Sequence, residues 1–154
     1  TKIDNMISYS NSTYNNTTGT STMEGWEFQN KQQYDDTTIN FSVTSVHAQD
    51  SNDVQLTRRP QYSAVVGLGH DVTDKLKVWY DWNYYGEHKD IHPTNYSTVT
   101  NGEQHHTDIG LLYKLNEATE VTATINNVTD LAYERPMGYK QPGREFTVGL
   151  KYLF

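Results

Sequence analysis

Cysteine is absent from the 154-residue chain. The chain therefore has no disulfide framework, no thiolate zinc site and no thiol nucleophile, and its side-chain metal ligands are limited to His and carboxylate. Long hydrophobic runs are also missing, since no stretch approaches the ~18 apolar residues of a membrane-spanning helix. Residues 1–9 lack the basic start, apolar middle and small-residue cleavage site of a signal peptide. A mature secreted chain and an internal fragment both agree with these absences.

Positive charge is scarce, with 12 Lys and Arg against 19 Asp and Glu and a net charge of −7. The basic residues are scattered, which argues against a phosphate-binding face for DNA or RNA. Hydrophobic residues make up only 34% of the chain, but aromatic and β-branched residues are too frequent for a disordered protein. No window carries the i, i+3, i+4 stripe of an amphipathic helix. The hydrophobic residues must therefore be arranged in another period.

That period is two. In residues 143–154, Phe146, Val148 and Leu150 lie on one face, and Glu145, Thr147 and Lys151 on the other. This alternation is typical of a strand with one apolar face. The same alternation predicts eight strands in all, from the amino terminus onwards around residues 3–9, 26–28, 39–43, 62–68, 76–84, 109–115, 121–125 and 146–154.

The predicted connections alternate in length. Tight turns are expected at residues 35–36, 71–74 and 116–119, and long polar loops at 10–22, 49–59, 87–103 and 129–142. Short turns on one side, long loops on the other and strands of about ten residues are typical of a transmembrane β-barrel with its apolar face outward. The polar face carries Lys, Asp, Glu, Asn and Thr, which a dry two-sheet core would have to bury at several kcal/mol each. The alternative is a soluble up-and-down barrel or lipocalin-like cup.

Several short motifs resemble a known family. They are INNVTD at 125–130 followed by Tyr133, GYKQPGREF at 138–146, the final YLF, LTRRP at 56–60 and YYG at 84–86. Together they resemble the closing strands of TonB-dependent outer-membrane receptors over roughly residues 56–154. Within that family the pattern is similar to receptors for vitamin B12 (cobalamin), and siderophore receptors share much of it. Pro142 departs from the cobalamin receptors, which have a small residue before the Gly-Arg pair.

The resemblance implies that residues 1–154 form the carboxy-terminal segment of a barrel of about 22 strands in the bacterial outer membrane, without the plug domain. The implied function is uptake of a scarce metal chelate, cobalamin or a ferric siderophore, with no enzymatic activity and no cofactor. The implied partners are the rest of the barrel and its plug, the TonB complex acting through that plug, the barrel assembly machinery and lipopolysaccharide. The alternative is a stand-alone eight-stranded outer-membrane barrel.

The resemblance also implies roles for three residues. Arg58 and Tyr139 match positions that contact ligand in the cobalamin receptors, and Phe154 matches the terminal residue by which such barrels are recognised for assembly. A guanidinium offers planar donors for carboxylate or catecholate oxygens, and a tyrosine offers a flat face with a hydroxyl. The alternative is that Arg58 pairs with a loop acid or a lipopolysaccharide phosphate, and that Tyr139 packs its loop.

Histidines are concentrated in or beside the loop at 87–103. A metal or haem role is a further hypothesis, because imidazole with carboxylate suits zinc, copper or haem iron. The spacing fits no compact metal signature, and ordinary solvated histidines are the alternative. The residues concerned are His88, His92, His105 and His106, with Glu87, Asp90 and Glu103 nearby.

An enzyme is the remaining alternative, since some outer-membrane barrels modify lipids or cleave peptides with His, Asp and Ser. His105, Asp108 and Ser97 are the candidate trio. No nucleophile elbow or oxyanion hole accompanies them in the sequence, so the signal has little specificity.

Overall fold

The computed structural model describes residues 1–10 and 13–154, and all of its regular secondary structure is β. Among these residues there is no helix long and apolar enough to cross a membrane. The strands are β1 (Lys2–Asp4), β2 (Ile7–Ser10), β3 (Thr13–Asn16), β4 (Thr20–Tyr34), β5 (Thr37–Gln49), β6 (Tyr62–Asp71), β7 (Leu76–Tyr85), β8 (His88–Ile91), β9 (Thr98–Asn101), β10 (Gln104–Asn116), β11 (Thr119–Asn126) and β12 (Glu145–Tyr152).

Eight of these strands form one antiparallel sheet in the order β1-β4-β5-β6-β7-β10-β11-β12. Each strand pairs with the next sheet strand along the chain, as expected for strands joined by hairpins. The predicted all-β, eight-stranded antiparallel fold is therefore confirmed. The remaining four strands form two small hairpins, β2-β3 and β8-β9, which lie outside the sheet.

The register of the sheet places apolar residues beside apolar residues. One row crosses six strands and consists of Ile39, Leu68, Tyr80, Ile109, Ile125 and Phe146, each paired with the next. A one-residue slip between any two strands would move one strand's apolar set to the opposite face. Exposure is high along this face, reaching 77% at Val148. The sheet therefore presents a continuous apolar surface that no part of the described chain covers.

The opposite face is polar. One row there consists of Lys31, Asn40, Gly67, Asp81 and Asp108, again paired strand by strand. A charged row of this kind needs water or polar partners. Across the described residues, Ala48 is the one hydrophobic residue that is buried. The sheet is thus a single layer with one apolar face and one hydrated face, as a barrel wall requires.

Connections at the two ends of the sheet differ as predicted. Residues 35–36, 72–75 and 117–118 make short turns at one end. Three long connections lie at the other end, and we name them loop A (50–61), loop B (86–103) and loop C (127–144).

Two sequence predictions need correction. The first predicted strand, around residues 3–9, is divided at Asn5, whose φ of 51° turns the chain and whose amide donates to the Gly19 carbonyl at 3.0 Å. Only Lys2–Asp4 joins the sheet, whereas Ile7–Ser10 pairs with Thr13–Asn16. The predicted loop at 10–22 accordingly contains β3 and the start of β4, and its residues Asn11 and Ser12 lie outside the described part of the chain.

The second correction concerns loop B. Its two arms pair as β8 and β9, from His88 with Asn101 to Ile91 with Thr98. The sequence predicted one long polar loop here without naming strands in it, because these short strands are polar and carry no apolar alternation.

Candidate functional site

Loops A, B and C meet at a buried carboxylate. Asp90, in strand β8 of loop B, has 0% of its surface exposed. Its Oδ1 accepts hydrogen bonds from Arg58 Nε of loop A at 2.9 Å and from the Ile91 amide at 2.8 Å. Its Oδ2 accepts from the Met137 amide of loop C at 2.7 Å. One side chain therefore links all three loops.

The hydrogen bonds keep this carboxylate charged. Burial by itself raises the pKa of Asp90, but the hydrogen bonds from the Met137 amide, from Arg58 and from the Ile91 amide outweigh that effect, and the pKa lies below its ordinary value. A buried carboxylate with several donors and a guanidinium partner is more stable ionised than protonated. The loop junction thus rests on a charged, fully hydrogen-bonded aspartate.

Loops B and C have a second junction. The Glu134 carbonyl accepts from Asn101 Nδ2 at 3.0 Å and from Gln104 Nε2 at 2.9 Å. Gly138 adopts a φ of +88°, and a Cβ at this position would lie 2.7 Å from Pro93 Cγ. Only glycine combines this backbone conformation with so close an approach. Loop C therefore lies directly against the β8-β9 hairpin.

An aromatic and cationic cluster lies beneath the two loops on the polar face. Arg135 donates from Nε and Nη2 to Gln104 Oε1, both at 3.1 Å. Its guanidinium carbon lies 4.0 Å from the Tyr85 ring centre and 5.8 Å from that of Tyr133. His106 stacks on Tyr133 with ring centres 5.7 Å apart. Cation–π and stacking contacts thus hold loop C to strands β7 and β10.

The two predicted ligand-contact residues lie in loops A and C, the two loops that Asp90 joins to loop B. Arg58 adopts a φ of +60°, its amide donates to the Lys89 carbonyl at 2.6 Å, and its side chain remains 56% exposed despite the bond to Asp90. Tyr139 is 66% exposed at the tip of loop C, and its amide donates to the Pro136 carbonyl. Arg58 therefore pairs with a loop acid, and both side chains present exposed surface.

The four histidines occupy four different environments. His88 is buried edge-on against Tyr85, with Nδ1 3.1 Å from the Gly86 carbonyl oxygen. His92 Nδ1 accepts from the Thr94 amide in the hairpin turn. His105 and His106 are neighbours in a strand, so they lie on opposite faces. Among the described residues no group of three or more His, Asp or Glu is placed to hold a metal ion.

The candidate catalytic trio does not assemble either. His105 and Asp108 lie three residues apart in β10 and hence on opposite faces. Ser97 donates to Asn95 Oδ1 within loop B. At the carboxyl end, Phe154 is fully exposed and its ring lies 5.8 Å from that of Tyr152.

Sequence reasoning missed several residues of the site. Asp90 was noted only as a neighbour of the histidines, Tyr85 was noted only as part of the YYG motif, and Arg135 and Gln104 were not singled out. For Gln104 and Tyr85 a signal was present, since the alternation of β10 and β7 assigns both to the polar face beside the loops. Arg135 carries no such periodic signal, because it lies in an irregular loop.

Known proteins are similar to this chain in sequence and in fold. No protein-family model matches. The vitamin B12 transporter BtuB of Vibrio cholerae serotype O1 is 27% identical over 161 residues, covering 99% of this chain and 26% of the transporter. The ferric-catecholate import receptor Fiu of E. coli K12 matches with a TM-score of 0.80 and 18% identity, covering 99% of this chain and 24% of the receptor. The ferripyoverdine receptor of the Pseudomonas aeruginosa outer membrane matches with a TM-score of 0.77 and 15% identity, covering 86% of this chain and 20% of the receptor.

These matches confirm the resemblance to TonB-dependent outer-membrane receptors and confirm their barrel wall as the fold of this chain. The chain spans about a quarter of the length of the curated relatives it matches.

Proposed function

We propose that this chain is a carboxy-terminal wall segment of a TonB-dependent receptor in the bacterial outer membrane, and that the receptor takes up a metal chelate. Cobalamin and ferric siderophores are the two ligand classes proposed, since the similar proteins are a vitamin B12 transporter and receptors for ferric catecholate and ferripyoverdine. Residues 1–154 then supply wall strands, the contacts of loops A, B and C, and the terminal Phe154.

The observation that carries this proposal is the two-faced sheet with its loops tied together at one end. The apolar row from Ile39 to Phe146 suits lipid, whereas the row from Lys31 to Asp108 suits a hydrated or plugged lumen. Loops joined through Asp90 form a preorganised rim, and preorganisation reduces the entropic cost of binding.

The open sheet supports a large barrel over a stand-alone eight-stranded one. In the described residues β1 pairs only with β4, and β12 pairs only with β11. Unpaired strand edges are not tolerated in lipid, because the exposed amides and carbonyls have no water to bind. The missing strands are proposed to close this sheet, and the plug to fill the lumen beside its polar face.

Arg58 and Tyr139 are the proposed ligand contacts. The exposed part of the guanidinium offers donors to amide, carboxylate or catecholate oxygens, and the exposed tyrosine ring offers stacking surface. The proposed partners are the TonB complex, reached through the plug, the barrel assembly machinery acting on Phe154, and lipopolysaccharide around the apolar face.

The test is ligand binding by the complete receptor in isolated outer membranes. Dissociation constants are measured for cyanocobalamin and for a ferric tris-catecholate, and we expect one of them to bind. Arg58→Ala and Tyr139→Ala are each expected to weaken that binding by roughly tenfold, because each removes a contact of about 1.4 kcal/mol.

Matched controls are available for both variants. Arg59→Ala removes the neighbouring exposed arginine, and Tyr96→Ala removes an exposed tyrosine of loop B. Both controls should bind like the wild type. A complete receptor that binds neither compound would overturn the proposed uptake function.

A further inference from the structure

Arg58 and Tyr139 lie in separate loops, and neither loop forms part of the sheet. Loop A is anchored near Arg58 by two hydrogen bonds. The Arg58 amide donates to the Lys89 carbonyl, and the Tyr85 hydroxyl donates to the Arg58 carbonyl at 3.3 Å. Loop C is anchored two residues before Tyr139, at the Met137 amide. The bond to the Lys89 carbonyl and the bond from the Met137 amide both lead to strand β8, which carries Lys89 and Asp90. Tyr85 ends strand β7.

Asp90 differs from the other loop carboxylates in what it joins. Asp50 accepts from the Asn52 and Val54 amides, both within the segment that begins loop A. Asp130 accepts from the Arg144 amide within loop C. Asp90 alone among these three accepts from two loops other than its own, with one oxygen towards each. Its full burial leaves it no water to replace either donor.

From this geometry we propose that Asp90 is the positioning residue of the ligand site: it fixes Arg58 of loop A and the Tyr139-bearing turn of loop C relative to each other, so that the two contacts are presented as a pair. The inference rests on the proposed function for its ligand, but the coupling of the two loops is a property of the structure. Asp90 itself is too buried to touch a ligand, so it acts through Arg58 and the Met137 amide.

Carboxylate chemistry explains why an aspartate suits this position. Two oxygens with several lone-pair sites accept the guanidinium and two amides at once. A bond between ionised partners is about twice as strong as a neutral one. An asparagine has one accepting oxygen and no charge, so it must give up the bond to one of the two loops.

The first experiment is a double-mutant cycle on binding by the complete receptor, with cyanocobalamin and the ferric tris-catecholate as probes. We expect Asp90→Asn to weaken binding by roughly tenfold or more. In an Arg58→Ala background the same change should weaken binding by less than it does in the wild type, because only its effect on the Tyr139-bearing turn remains. Asp50→Asn and Asp130→Asn, which each alter one loop only, should change affinity by less than about threefold.

Two results would overturn the proposal. One is wild-type affinity in Asp90→Asn. The other is a double variant whose loss of affinity equals the product of the losses in Asp90→Asn and in Arg58→Ala. If Asp90→Asn does not assemble in the membrane, Asp90→Glu replaces it. Glu keeps the charge but displaces both oxygens by one methylene, and the same masking by Arg58→Ala is expected.

The second experiment separates this inference from the proposed function, because it needs no ligand. Amide hydrogen exchange is measured on loops A, B and C of the assembled receptor. Asp90→Asn should accelerate exchange in loops A and C. Asp50→Asn and Asp130→Asn should leave exchange in both loops close to that of the wild type, because the oxygen that an asparagine keeps can still accept the amide bonds that Asp50 and Asp130 each make through one oxygen. Acceleration of both loops in a receptor that binds neither compound would keep the coupling and reject the uptake function. Acceleration confined to loop B would reject the coupling itself.

Discussion

At the scale of single residues, close packing on the polar face is set by pairs of unequal size. Trp79 lies between Gly69 of β6 and Gly110 of β10 in the register. A Cβ on Gly110 would lie 2.1 Å from the indole ring, whereas a Cβ on Gly69 would meet nothing closer than 3.8 Å. The indole ring therefore packs over Gly110 and not over Gly69. The large Trp79 side chain fills the space that the glycine leaves open on this face of the sheet.

Gly110→Ala should consequently destabilise the barrel, by about 1 kcal/mol or more, because the new methyl group displaces the Trp79 ring. The free energy of unfolding, measured by urea titration of the complete receptor in lipid vesicles, checks this. Gly69→Ala is the matched control and should be neutral or slightly stabilising. Equal effects from the two substitutions would mean that the indole does not lie over Gly110.

At the scale of strands, alternation determines which side chains lie on the apolar face, the face proposed to contact lipid. Leu150 of β12 pairs with Val121, and Val148 pairs with Ala123, all on the apolar face. We expect Leu150→Arg or Val148→Arg to cost roughly 2–4 kcal/mol where the residue lies near the bilayer midplane, since the charge enters hydrocarbon. Unfolding titrations in vesicles measure the cost. Thr147→Arg, on the polar face of the same strand, should cost far less, and a reversed order would contradict the proposed orientation of the sheet.

Strands of this kind were predictable from the sequence and loop hairpins were not. Phe146, Val148 and Leu150 give a period-two signal because one face is apolar and the other hydrated. Strand β8, with His88 and Asp90, has no such contrast, because its partners are loop residues and buried polar contacts. The site could not be predicted for a related reason. Asp90 and Arg135 are positioned by hydrogen bonds between segments distant in sequence, and no local sequence pattern encodes such bonds. Arg58 and Tyr139 stay predictions, which rest on their place in long loops and on the resemblance.

At the scale of the whole molecule, the carboxyl end and the sheet edges are the proposed sites of contact with the assembly machinery and with further strands. Phe154 lies beyond β12, fully exposed, after a strand whose last backbone contact is the Leu153 amide to the Ala118 carbonyl. Deletion of Phe154 should lower the amount of assembled receptor several-fold, measured as the heat-modifiable band from outer membranes. Leu153→Ala keeps the terminal aromatic residue and should assemble normally. An unchanged yield without Phe154 would remove its role as an assembly signal.

In the part of the chain that the structure describes, the sheet ends at β1 on one side and at β12 on the other, and these two edges give the sharpest whole-molecule prediction. Strand β1 has only three residues, whereas β12 has eight. Direct pairing of β1 with β12 would therefore leave most of the β12 edge without backbone hydrogen bonds in lipid. Residues 1–154 expressed alone with an export signal should therefore fail to form a protease-resistant, heat-modifiable barrel, while the complete receptor forms one. Assembly of residues 1–154 into a closed barrel by themselves would establish the small eight-stranded architecture instead, and the function would then have to be sought without a plug or TonB.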